Sequence, residues 1–215
     1  MVNISAIAFA VRKQLSAQGI SLSIGHTQQL VAAALGHNNL ASYQASNDDI
    51  GLPEASDIVL DPERLVVRAA ELGHDDKMFA HALKTNLTKR FPDSDLYENR
   101  EDWLMVVQDH FERAIVDDDS VNSEVAMTNG TFPRTDIENF WWVNLDDFER
   151  DDLTVEFDGL VTVDQDQDRV YWGHEVEVRA TLTVERFGRR MFGRRLIEVE
   201  HAKLRWLGEP SELVE

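Results

Sequence analysis

The sequence predicts an α+β protein: a small N-terminal helical module, a helical middle and a C-terminal antiparallel β-sheet. Three observations carry this. Apolar residues recur at three- and four-residue spacing as far as about residue 116, which is the helical period. From Asp152 to Leu207 they alternate with polar ones, which is the period of a sheet with one packed and one wet face. Between these regimes, cap and turn residues fall where elements must stop. The expected organisation is a helical module over 1–46, a linker over 47–57 and an α+β domain over 58–215. Within that domain, helices are expected over 61–116 and the sheet over 121–207.

In chain order, Ile4, Ile7, Val11 and Leu15 form the stripe of a first helix that Gly19 stops. Ser21 and Ser23 offer hydroxyls to cap a second helix from about Ile24 to Leu35, closed by Gly36. Asn38 or Asn39 starts a short third helix with Leu40 and Tyr43. Asn47 to Asp57, with its acids, Gly51 and Pro53, has no periodicity and suits a linker. After the apolar run Ile58-Val59-Leu60, Asp61-Pro62-Glu63 opens a helix in the order cap, proline, acid, and Gly73 ends it. Asp75 or Asp76 caps the next helix, which Pro92 stops. A third helix of this region runs from about Leu96 to Val116, before a solvated acidic loop at Asp117-Asp118-Asp119. Asn129-Gly130 signals a hairpin between Val125-Ala126-Met127 and Phe132. Phe140-Trp141-Trp142-Val143 reads as a sheet strand or, alternatively, as an exposed aromatic patch. Three long strands then follow, joined by two tight turns. The last, Leu196 to Trp206, alternates less cleanly and predicts a bulge or an edge role.

The stretch LSAQGISLSIGHTQQLVAAALGHNNLASYQAS resembles a small helical module found at one end of bacterial glyoxalase-superfamily and plasmid-borne proteins. Ser21, Ser23, Leu30, Ala33, Gly36, His37, Leu40 and Tyr43 occupy the recurring positions. That resemblance implies a bacterial, plasmid or phage setting. It covers about a fifth of the chain, and no vicinal-oxygen-chelate metal set follows, so glyoxalase chemistry is not implied.

The chain has no cysteine, which excludes disulfides, thiolate metal sites and a cysteine nucleophile. No run approaches the ~18 apolar residues of a membrane span, and Arg12 and Lys13 follow the apolar start in the wrong order for a signal peptide. The expectation is a cytoplasmic protein without membrane association. Its net charge of −19 is unevenly placed, because residues 1–46 contain Arg12 and Lys13 and no acid. An acidic body repels nucleic acid and steers toward basic partners, so direct nucleic-acid binding is not expected of it.

The candidate partner-binding residues are Arg186, Arg189, Arg190, Arg194 and Arg195, in a doubled Phe-Gly-Arg-Arg repeat at a turn, together with Trp141 and Trp142. The arginines could grip phosphate or a carboxylate-rich surface, pair with the sheet's own acids, or blunt an edge. Asp164, Asp166, Asp168 and Glu175 match calcium-loop positions 1, 3, 5 and 12. Arg169 replaces the turn glycine and strands flank the loop, so the reading preferred is a solvated turn and no metal or cofactor is expected. None of the seven histidines shows paired ligand spacing. Arg68 and His74 fit the loose R-x5-H of helical, HEPN-like ribonucleases, a spacing that turns ~240° on a helix and parts the two side chains. The leading expectation is a non-enzymatic interaction protein of a bacterial accessory or mobile-element system, with a protein partner. The alternatives are an acidic nucleic-acid mimic that occupies a basic groove, and a hydrolase or nuclease built on Arg68, His74 and the Asp164 cluster. An unpaired edge strand and the aromatic run are compatible with a homodimer.

Overall fold

The computed structural model describes residues 3–46, 48–128, 130–135, 152–164 and 175–205. Helices α1 (Ile4–Ala17), α2 (Ile24–Ala34), α3 (Leu40–Ser46) and α4 (Asp48–Gly51) come first. Strand β1 (Asp57–Val59), α5 (Pro62–Leu72), α6 (Asp76–Arg90), β2 (Asp95–Tyr97), α7 (Arg100–Asp117) and α8 (Asp119–Ala126) follow. The chain then forms β3 (Thr131–Thr135), β4 (Leu153–Asp164), β5 (Glu175–Gly188) and β6 (Met191–Arg205). The fold is α+β, with a six-stranded, mostly antiparallel sheet in the order β2-β1-β6-β5-β4-β3. Among the described residues no helix is long and apolar enough to cross a membrane.

Local chemistry explains most helix boundaries. Asn3, Ser23, Asp61 and Asp75 each accept a backbone N–H of the first turn, which satisfies a donor that the helix leaves open. Gly36 and Gly73 turn the chain at φ +82° and +71°, in the left-handed region that glycine enters without steric penalty. Asn39 caps α3 by accepting the Ser42 N–H at 2.8 Å.

Four expectations change. The segment expected as a linker holds α4 and the start of β1. Residues 95–97 form β2, parallel to β1 in the register Asp57↔Asp95, so α7 begins at Arg100 and not at Leu96. Asp117 ends α7 but Asp118 caps α8 and Asp119 opens it, where the positive end of the helix dipole favours acids. Val125 and Ala126 therefore close a helix and do not form a hairpin strand, while β3 follows Gly130 and pairs antiparallel with β4. The β3–β4 register shifts between Thr131 and Arg134, around Pro133, which has no N–H to give. The Phe140–Val143 run lies outside the described residues.

Contacts divide the chain into two units. The first comprises the described residues of 1–104, 143–152 and 184–194, and the second those of 105–142, 153–183 and 195–215. In the first unit α1 packs on α2 and α6, and α2 packs on α5. One apolar cluster joins Ile7, Leu15 and Leu30 to Ile58, Leu65, Phe79, Leu83 and Met191. Helices α1–α3 thus share their core with α5 and α6, and the division does not fall at 47–57. In the second unit Phe111 of α7 meets Phe157 of β4 edge to face, with centroids 6.4 Å apart. Val155, Val161, Val176, Val178, Ala180 and Leu182 are buried, as the alternation requires. Along β6 the alternation slips at Glu200-His201, both exposed, before Leu204 is buried.

Candidate functional site

The arginine turn points inward. Strand β5 ends at Gly188 and β6 starts at Met191, so Arg189 and Arg190 form a two-residue turn. The Arg189 N–H donates to Asp48 Oδ2 at 3.1 Å, and the Arg190 carbonyl accepts the Val59 N–H at 2.9 Å. The Arg190 guanidinium donates to Asp61 Oδ2 at 2.8 Å, with side chains only 7% and 8% exposed. Asp61 is already committed, since Oδ1 caps α5 and Oδ2 also receives Arg64 Nε at 3.0 Å. Two glycines make room for the turn. A Cβ on Gly36 would lie 2.9 Å from the Arg190 side chain, and one on Gly51 would lie 2.3 Å from the Phe187 carbonyl oxygen.

Of the five candidate arginines, Arg190 is buried, Arg186, Arg189 and Arg195 are half-buried and Arg194 is exposed. Arg186 donates to the carbonyls of Gly188 and Arg189 and lies 5.7 Å from the centroid of the Phe192 ring. The expectation that the turn's arginines project into solvent is therefore corrected for Arg190, whose charge is matched inside the unit. The second Phe-Gly step is not a turn either. Phe192 stacks on Trp103 at 4.1 Å, whose indole N–H donates to Asp57 at 2.9 Å. Trp141 and Trp142 lie outside the described residues.

Beside the turn, His37 Nε2 meets Asp48 Oδ2 at 2.8 Å, both side chains 1% exposed, and His37 Nδ1 meets Ser42 Oγ at 3.4 Å. Burial alone would raise the Asp48 carboxyl, but hydrogen bonds from His37, Ser46 and the Arg189 N–H outweigh it and hold the group below the usual aspartate range. Tyr43 packs its ring edge to face on His37 at 5.0 Å and donates its hydroxyl to Asp49 at 2.9 Å. Burial first, and then the Asp49 charge, push the Tyr43 phenol far up. His37 also lines a cleft of about 370 Å³, with Ala33, Asn38, Arg64, Val67 and Arg68 among the other walls.

The remaining candidates are dispersed. Arg68 pairs with Glu71 at 2.7 Å and bonds the Asn38 carbonyl, whereas His74 Nε2 faces His26 Nδ1 at 2.8 Å. The R-x5-H pair therefore has separate partners. Asp164 is held by Arg134 at 2.6 Å and Glu175 by Arg205 at 3.4 Å, while Asp166 and Asp168 lie outside the described residues. Among the described residues no group of three or more His, Asp or Glu side chains is placed to hold a metal ion.

In the second unit the wet face of the sheet is acidic. Glu156 and Asp158 of β4, Glu177 of β5, and Glu198 and Glu200 of β6 are exposed. Cross-strand bonds show that they share this face: Arg179 to Asp158 at 3.1 Å, and the Thr181 hydroxyl to Glu200 at 2.7 Å. Leu196, on the same alternation as Glu198, is 53% exposed. What the sequence hid is the set of pairs closed across long separations, above all Arg190–Asp61 and Arg189–Asp48. The available signal was the charge of the turn set against two acids that each begin a helix. Compared with known proteins, the chain matches no family model, no curated protein and no solved structure.

Proposed function

We propose that this is an interaction protein that binds a basic protein partner through the acidic face of β4–β5–β6, in the bacterial accessory setting that its N-terminal resemblance implies. The observation that carries the reading is the carboxylate array at Glu156, Asp158, Glu177, Glu198 and Glu200. Neighbouring strands lie ~4.8 Å apart and alternate residues ~6.7 Å apart. Both spacings fall within the Debye length of ~8 Å at physiological salt. The charges therefore repel one another in the free protein, and a cationic surface relieves that repulsion. Arg179 offsets only part of it, and Leu196 supplies an apolar contact of the kind that anchors an interface. With Arg190 committed internally, the arginine turn offers less to an acidic partner than its composition implies.

The test is affinity capture with wild type and with a Glu156→Gln, Glu177→Gln, Glu198→Gln variant, partners being identified by mass spectrometry. Wild type should retain a basic protein whose association slows by ~10-fold or more as salt is raised, and the variant should lose it. Retention of the same partner by the variant, or binding indifferent to salt, would overturn the reading. The regular strand spacing of the carboxylates also supports the nucleic-acid-mimic version, in which duplex DNA displaces the protein from its partner. If DNA competes, the partner's groove is a nucleic-acid site; if not, the partner is basic without one.

A further inference from the structure

Three side chains of the first unit stand in a hydrogen-bonded row that anchoring the turn does not account for: Asp48, His37 and Ser42. We infer that they form a nucleophile relay for acyl transfer, with Ser42 attacking small esters and His37 serving as its base beside the cleft. The inference is independent of the acidic face.

Accessibility is graded along the row. Asp48 is buried at 1% exposure, His37 is buried at 1%, and Ser42 is half-buried. A relay needs this order, because a buried carboxylate orients the imidazole and the nucleophile must meet substrate. With Asp48 ionised, His37 carries its proton on Nε2 and donates it to Oδ2 at 2.8 Å. Nδ1 then presents its lone pair toward Ser42 Oγ at 3.4 Å, a loose contact of the kind that tightens when substrate is bound. The Arg189 N–H holds the same carboxylate oxygen at 3.1 Å, and the Tyr43 ring fixes the plane of the imidazole. Ser42 is placed by the Asn39 cap on its own N–H. Were the pair needed only to seat the turn, Asp48 and the Arg189 N–H would suffice; nothing in that role requires a hydroxyl on the other ring nitrogen.

The cleft's 370 Å³ suits a small molecule. Its walls set Arg64 and Arg68 against Glu63 and Glu71, a balanced lining in a chain of net charge −19, so a neutral or singly anionic ester is admitted. In the reaction Ser42 Oγ bonds to the acyl carbon while its proton passes to His37 Nδ1. The carbon–alkoxy bond then breaks, and the departing alcohol takes that proton. Water attacks the acyl-serine, gives a proton to Nδ1, and the released acid leaves Ser42 protonated again.

The test uses the full chain with an alkyl fluorophosphonate and with 4-nitrophenyl acetate. A single adduct should map to Ser42, and Ser42→Ala should abolish it while leaving the melting temperature unchanged. Removing the base should slow labelling by ~10²- to 10⁴-fold, as His37→Gln. Asp48→Asn, read on material shown to be folded, should change the pH profile of labelling as well as its rate, which a role confined to seating the turn would not do. An adduct elsewhere, no adduct, or ester hydrolysis by Ser42→Ala at the wild-type rate would overturn the inference, and Ser42→Ala decides it even if the other two variants fail to fold.

Discussion

Replacing Arg190 by Ala tests whether the arginine turn is a structural anchor. The substitution leaves Asp61 buried with one fewer counter-charge and empties the space between Gly36 and β1. Breaking a buried ion pair by removing one partner costs about 3–5 kcal/mol. Asp61 keeps Arg64 and its place as the α5 cap, so the lower end, about 3 kcal/mol, is expected. With a urea m-value of ~2–3 kcal/mol/M, the midpoint should fall by roughly 1–1.5 M. Arg194→Ala is the internal control, because Arg194 is exposed and should change stability by no more than ~0.5 kcal/mol. Urea titrations followed by circular dichroism and tryptophan fluorescence compare the two. Equal, small effects at both positions would refute the inward anchoring and return Arg190 to the surface.

Gly51→Ala should destabilise by ~1–3 kcal/mol, because its Cβ would lie 2.3 Å from the Phe187 carbonyl oxygen and β5 would have to shift; Gly25→Ala, with open space around it, should cost nothing in a thermal melt. Tyr43 supplies an alkaline limit. Its phenol is pushed up in the folded state, so above pH ~10 the unfolded chain loses this proton first and stability must fall with pH. Tyr43→Phe should flatten that decline in melts taken from pH 9 to 11. Asp48 limits the other end: its carboxyl is depressed, so its contribution is intact at neutral pH and is lost as pH falls below the ordinary aspartate range. Deleting residues 1–46 removes Ile7, Leu15, Leu30 and Tyr43 from the shared apolar cluster, and calorimetry should find no cooperative transition left in the first unit.

The parts that were legible are those that local chemistry decides. Asn3, Ser23, Asp61 and Asp75 are caps recognisable from their neighbours, and the period-two pattern of Val176 to Val184 requires one buried face. Strands β1 and β2 were hidden because three residues carry no period, and their pairing is set by tertiary contact. Asn129-Gly130 misled because a strong two-residue turn signal says nothing about whether the preceding residues are strand or helix. The arginine turn misled for an electrostatic reason. Charge argues for solvent unless a partner is known, and here the partners are 129 and 141 residues away in sequence. His37 showed no ligand spacing, yet its closest charged partner lies only eleven residues on, across α3.

The seating of Arg189 and Arg190 also has a consequence for the order of events on the ribosome. Helices α1 to α6 leave the exit tunnel long before the turn that occupies the space between Gly36, Asp48 and Asp61. At translation rates of ~5–20 residues per second, the nascent N-terminal part waits on the order of 5–20 s for that turn. During this interval Asp48 and Asp61 lack the arginine turn, and Phe192 is not yet there to stack on Trp103. The first unit is therefore closed late, by a piece of chain made some 85 residues after its own last helix begins. A stop codon or proteolytic cut before Gly188 would leave an unfinished body exposed to quality-control proteases, so that only chains synthesised through the final hairpin accumulate.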